Sequence, residues 1–309
     1  MDYDKARSIK EQVLYALAFW GTVDSSLRNV RNPRVSLRIV GIVITASHRV
    51  TPYLMKSIND KPTYTFASAL SPMVRYWKSV SERSNSDLPI GSYDIVAHMT
   101  NVNPTADVLR WRMSHHNPPR DRKNHFRFHR HPKPATNFFA GVALPKLCKF
   151  TDQAGVVIFR DDFAFDGVNR AIVQIGKVLG GTDTLPYDKE PSTKWTKNVL
   201  DTVSSALRHK SCMSAPKEHH PPGAPIAPIL AGELVPNEKQ CERAGYEPNA
   251  SACWDTSITA RRSTCKALQC SNDHMWGVTC DIVGRPLDGS FCNVQNTKIC
   301  LDGECVDKL

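Results

Sequence analysis

The stretch Ala171-Ile-Val-Gln-Ile-Gly-Lys-Val-Leu-Gly180 places apolar residues at three- and four-residue intervals. Together with Val168, the side chains of Ile172, Ile175 and Leu179 fall on one face of a helix over about 166–179. A helix with one apolar stripe needs another layer to cover it, and the neighbouring sequence supplies one. Residues 93–99, 141–144 and 155–159 read as strands ahead of the helix. Behind it, Trp195, Val199, Val203 and Leu207 recur every four residues and predict a further helix over 193–209.

The N-terminal part continues the alternation. Asp4 is placed to cap a helix whose stripe runs Ile9, Val13, Leu17 and Trp20, ending near Gly21 or continuing through Val23 and Leu27. Val35, Leu37 and Ile39 alternate with Ser36 and Arg38, then pass into Val40, Ile42, Val43 and Ile44, the pattern of a strand that becomes buried on both faces. Pro72 suits the first turn of a helix carrying Met73, Val74, Trp77 and Val80. This order predicts an α/β sandwich with a mixed sheet. The longest apolar run, residues 39–45, is far below the ~20 residues a membrane-spanning helix needs, so no span is expected.

Eight of the ten cysteines, Cys241, Cys253, Cys265, Cys270, Cys280, Cys292, Cys300 and Cys305, lie in the last 69 of 309 residues. So many thiols in so small a piece predict a disulfide scaffold that is loop-dominated and unable to stabilise itself by burial alone. Zinc is the rival reading, but paired C-x₂-C knuckles are absent and His274 is the one nearby histidine. Disulfides imply an oxidising compartment, and the sequon at Asn249 fits secretion. The chain opens Met-Asp-Tyr-Asp-Lys without a signal peptide, so a truncated chain of a secreted protein is expected. Pro216, Pro221, Pro222, Pro225, Pro228 and Pro236 suggest an extended linker over 214–238, opposed to helix, between a first unit over 1–213 and a cysteine-rich unit over 239–309. Net charge divides likewise: residues 221–309 carry 8 Lys+Arg against 11 Asp+Glu, whereas the whole chain is +10.

Several runs together resemble the reprolysin-like metzincin metalloproteases, relatives of the ADAM and snake-venom enzymes, and most closely the secreted salivary metalloproteases of ticks. These are the run from Asn29 to Gly41, Tyr93 to Ala97, the strands around Cys148 and Gly155, and Ala171 to Gly180. In the tail, Cys265-Lys-Ala-Leu-Gln-Cys270, Pro286-Leu-Asp-Gly-Ser-Phe-Cys292 and Cys300-Leu-Asp-Gly-Glu-Cys305 look like the cysteine-rich domain of that family. The resemblance implies a metzincin-like sandwich, a zinc endopeptidase activity and the signature H-E-x-x-H-x-x-G-x-x-H, in which three imidazoles hold the metal and a Glu serves as base. Aligning on Gly176 and Gly180 puts Val173, Lys177 and Asp183 at the ligand positions and Gln174 at the base position. No H-E-x-x-H occurs anywhere in the chain, and no Met lies between Met113 and Met213 to form a Met-turn. No cofactor is therefore expected, although the family uses zinc. Cys148 and Cys212 are each other's remaining candidates, and the resemblance also suggests their bridge; closing a loop of that length contributes on the order of 4 kcal/mol.

Residues 107–133 hold eight Lys+Arg, two Asp and five His. The segment is open to several readings: a solvated loop, a patch for heparin-like polyanions formed by Arg120, Arg122, Lys123, Arg127 and Arg130, a metal site of His125, His129 and His131, or a shifted reading frame. The expected function is a catalytically inactive pseudo-protease that binds extracellular or host proteins or glycosaminoglycans; nucleic acid is not expected as a partner. The competing expectation is an active zinc endopeptidase cleaving matrix or blood proteins through other ligands, such as His98 or the histidines of 115–131.

Overall fold

Ser8 starts the first helix through a capping box: its Oγ accepts the Glu11 N–H at 3.2 Å and Glu11 Oε2 accepts the Ser8 N–H at 2.8 Å. Helix α1, Ile9–Leu27, is thus capped by Ser8 and not by the expected Asp4. Its buried face also differs from the stripe read in sequence. At its start Ile9 is 63% exposed and Tyr15 and Phe19, outside that stripe, are wholly buried, whereas the continuation through Val23 and Leu27 is wholly buried as read. The ring of Phe19 stacks on that of Phe159 at 5.6 Å, so aromatic packing against the sheet sets the helix rotation.

The computed structural model describes residues 8–45, 51–55, 66–83, 85–89, 92–101, 141–144, 155–161, 165, 167–181, 195, 197–210, 230–244, 251–253, 264–274 and 277–308. After α1 come α2 (Pro52–Met55), α3 (Phe66–Ser81), β1 (Ile95–Thr100), β2 (Gly141–Leu144), β3 (Gly155–Arg160), α4 (Val168–Leu179) and α5 (Lys197–Arg208). The first sheet has the order β1-β3-β2: β1 runs parallel to β3 with Ile95 opposite Gly155, and β2 runs antiparallel with Gly141 opposite Phe159. The sheet is mixed, as expected.

Because successive side chains point to opposite faces, the two faces of this sheet build separate cores. Met99, Val157 and Phe159 pack with α1, α4 and α5, and Val156 and Ile158 pack with Tyr53, Leu54, Ala69, Leu70 and Met73 from α2 and α3. Pro72 stands inside α3 and not in its first turn. Burial of Ala69, Leu70 and Met73 on either side of it holds the helix through the residue that interrupts its hydrogen-bond ladder.

Residues 35–44 keep an alternation of burial but join no ladder among the described residues. Val40 and Val43 are 38% and 44% exposed, so the expected burial on both faces fails. A cavity of about 130 Å³ is lined by Ile39 to Val43 together with Ile95 to Met99 of β1.

The C-terminal part begins at α6 (Ala231–Leu234) and α7 (Asn237–Arg243), followed by the hairpins β4 (Leu268–His274) with β5 (Gly277–Gly284) and β6 (Lys298–Leu301) with β7 (Glu304–Asp307). Residues 231–238, expected as extended linker, are thus largely helical. Glu233 Oε2 accepts the Leu230 N–H at 3.2 Å, and Pro236 sits at the N-cap of α7, where its missing N–H costs nothing. Two-stranded hairpins are marginal on their own. Four disulfides, Cys241–Cys270, Cys253–Cys280, Cys265–Cys300 and Cys292–Cys305, fasten them, as the cysteine count predicts.

This disulfide-bonded part docks on α1. Ala18 packs with Ala231, Val235 and Leu287, and Ser25 Oγ donates to Asp288 Oδ2 at 2.8 Å. The motif 286–292 fits there closely. A Cβ on Gly232 would stand 2.1 Å from Ser290 N, and Gly289 adopts φ +94 against Leu230. Gln240 secures the motif by donating to Val235 O and Ser290 Oγ, both at 2.8 Å, and accepting the Leu287 N–H at 3.1 Å.

Candidate functional site

Helix α4 is the element the sequence singles out, and its position follows from both ends. At the N-terminal end Asp161, 3% exposed, accepts the Tyr15 hydroxyl at 2.7 Å and the Gly167 N–H at 3.0 Å. The Tyr15 oxygen in turn accepts the Phe165 N–H at 2.8 Å, holding a bulky residue at φ +61. Burial, then the Asp161 charge, raise the Tyr15 hydroxyl well above its ordinary pKa, so it stays protonated as the donor. The Arg243 guanidinium lies over the Tyr15 ring at 4.7 Å, which ties the disulfide-bonded part to the start of α4.

At its C-terminal end α4 stops at Gly180, which takes the left-handed φ of +109. Its N–H bonds to the carbonyls of Gly176 and Lys177, and an added Cβ would lie 2.4 Å from Ala206 Cβ of α5. Glycine is required here twice over, by backbone conformation and by the approach of α5.

Between these ends Ala171, Ile172, Ile175, Val178 and Leu179 are buried in the core, while Val173 and Lys177 are half-buried one turn apart. Gln174 is 6% exposed; its Cγ lies beneath Gly141 of β2, where a Cβ would approach it to 3.2 Å, and its Oε1 has no hydrogen-bond partner among the described residues. A zinc ion does not fit this set. Val173 has no ligand atom, Lys177 brings a cation, and a neutral amide supplies neither a strong ligand nor a base. Asp183, Asn249, Cys148, Cys212, the histidines His125, His129 and His131, and the basic group Arg120, Arg122, Lys123, Arg127 and Arg130 lie outside the described residues.

His98 lies elsewhere. It is 3% exposed on β1, with Nδ1 2.9 Å from the Tyr53 hydroxyl, and it shares the α2 and α3 face of the sheet with Val96. Helix α4 packs on the opposite face, so the sheet itself stands between His98 and the Val173–Lys177 pair. Among the described residues, the sulfurs of Cys265, Cys292 and Cys300 lie within 4.8 Å of one another, but all three are spent in disulfides and are not thiolate ligands.

The joint around Ser25, Asp288, Tyr15, Asp161 and Arg243 was not legible beforehand. The one sequence signal at this joint is the Pro286-to-Cys292 motif, which carries Asp288. Burial raises the Asp288 carboxyl above its usual range, while the Ser25 hydroxyl and Arg285 oppose that shift.

No family model matches the chain. It is similar to the "A disintegrin and metalloproteinase with thrombospondin motifs like" protein of Bombyx mori, with 24% identity over 318 aligned residues covering 94% of this chain. The chain spans 40% of that relative's length. The similarity supports a distant relationship to the ADAM and reprolysin metalloproteases.

Proposed function

We propose that the chain is a secreted reprolysin-like metalloprotease homologue, of the kind found in tick saliva, whose peptidase centre has been lost. It acts as a binder of extracellular or host proteins and glycosaminoglycans. The observation that carries this reading is the left-handed termination of α4 at Gly180. In the family signature the glycine after the second ligand is where the zinc helix turns towards the third ligand. Matching Gly180 to it supports the alignment in which Val173, Gln174 and Lys177 occupy the first-ligand, base and second-ligand positions.

The four disulfides support an oxidising, extracellular setting. The docking of the cysteine-rich part on α1 through Ala18, Ala231, Val235 and Leu287 supports retention of the scaffold without its chemistry. Incubating the purified chain with zinc and gelatin tests the reading. No cleavage above that of a chelator-treated control is expected; cleavage that needs zinc and stops with chelator would overturn it.

A further inference from the structure

The turn that follows α1 carries Arg28, Arg31, Arg34 and Arg38 and no acidic residue between them. Arg31 and Arg34 face each other across an isolated antiparallel bridge, which sets their Cα atoms about 4.5–5.5 Å apart. The chain then runs back past α1, and the Leu37 N–H donates to Asp24 Oδ1 at 2.6 Å. Val35 and Leu37 point into the core, while Arg34, Ser36 and Arg38 are exposed. Arg34 and Arg38 therefore stand on one outward face, roughly 13 Å apart at about 3.3 Å per extended residue. Asp24, the neighbouring carboxylate, is already taken by the Leu37 N–H and by Arg28 at 3.9 Å. Among the described residues, Arg31, Arg34 and Arg38 form no ion pair.

We propose that Arg31, Arg34 and Arg38 form a docking site for a sulfated glycosaminoglycan chain. Three exposed arginines on anchored backbone, Arg31 beside Arg34 and Arg38 further along the same outward face, match a linear polymer that repeats sulfate groups. Arginine, unlike lysine, can hold each sulfate through two parallel N–H bonds. Because the backbone is already fixed by the core and by Asp24, binding orders only the side chains. The disulfides place the chain where sulfated glycans, and not nucleic acids, are the polyanions it meets. This site takes up the glycosaminoglycan side of the binder reading, yet it involves neither α4 nor residues 107–133. Its failure and the failure of the pseudo-protease reading are therefore separately visible.

The test is the affinity of the full chain for a size-defined heparin oligosaccharide across a sodium chloride series. R31A/R34A/R38A is expected to weaken binding about tenfold or more near physiological salt and to lower the slope of log Kd against log salt by about two to three, one per lost charge contact. Unchanged affinity and slope would overturn the site, as would a loss seen only in R120A/R122A/K123A/R127A/R130A. Equal affinity for desulfated heparin of the same length, or for duplex DNA with the same arginine dependence, would overturn the assignment to a sulfated glycan. If the triple variant folds poorly, arginine modification by phenylglyoxal on the wild-type chain decides: heparin is expected to shield Arg31, Arg34 and Arg38, and modification at an unchanged rate would overturn the site.

Discussion

Replacing Gly180 with alanine places a methyl group 2.4 Å from Ala206 Cβ, on a residue whose φ of +109 lies in the left-handed region. The conformation costs a non-glycine residue roughly 1–2 kcal/mol, and forcing an extra carbon into a packed contact costs about 1–3 kcal/mol. The expected loss is therefore about 2–5 kcal/mol, a large share of the roughly 5–15 kcal/mol by which domains are stable. Urea denaturation followed by tryptophan fluorescence measures it, because Trp195, 7% exposed, belongs to the core that also holds the buried faces of α4 and α5. A second variant separates the two causes. A206G removes the opposing methyl and by itself costs about 1 kcal/mol in a helix. In the double variant the steric part is relieved, so G180A/A206G is expected to lose less than the two single losses added together. A G180A loss under about 0.5 kcal/mol, at the level of an ordinary surface change, or strict additivity in the double variant, would refute the reading of Gly180 as the closure between α4 and α5.

Tyr15→Phe removes the hydroxyl that Asp161 and the Phe165 N–H share, and is expected to cost about 1–3 kcal/mol in the same assay; an unchanged midpoint would show that the node does not hold α4. Asp288→Asn tests the sign of a pH effect. The folded carboxyl has a raised pKa, so its contribution is fully present below the unfolded value of about 4 and is lost as pH rises through the folded value. Thermal melts from acid to neutral pH should show wild type losing ground to the variant as pH rises, and a constant difference would refute it. Cys292→Ala with Cys305→Ala opens a bridge of sequence separation 13 and is expected to cost about 3 kcal/mol, read as the urea midpoint; no shift would deny that the bridge holds the β6–β7 hairpin.

Helices α4 and α5 were legible because each buries a single stripe, and a single stripe leaves its period in the sequence. Helix α1 misled because it buries two sides, Tyr15 and Phe19 against the sheet and Ala18 against α6, so no narrow stripe marks its true face. Residues 35–44 misled for another reason: alternation records which side chains point inward, and Val35 and Leu37 do, but it does not record whether a neighbouring strand is paired. Proline content hid α6, whose four residues start against the carboxylate of Glu233. The cysteines announced disulfides by number alone, yet their pairing came from the fold. At the candidate site the residue types at 173, 174 and 177 could be read directly. The joint could not, since Tyr15 meets Asp161 across 146 residues and Ser25 meets Asp288 across 263, with no local pattern to link them.

Zinc stoichiometry by calorimetry, measured for the wild-type chain beside V173H/Q174E/K177H/D183H, tests the central claim most directly. If α4 is a zinc-helix scaffold without its ligands, the variant takes up one zinc ion more than the wild type, and the wild type shows no site whose loading supports peptide cleavage. A wild-type chain that binds one zinc tightly and cleaves gelatin with it, or a variant that gains no zinc, would contradict that claim.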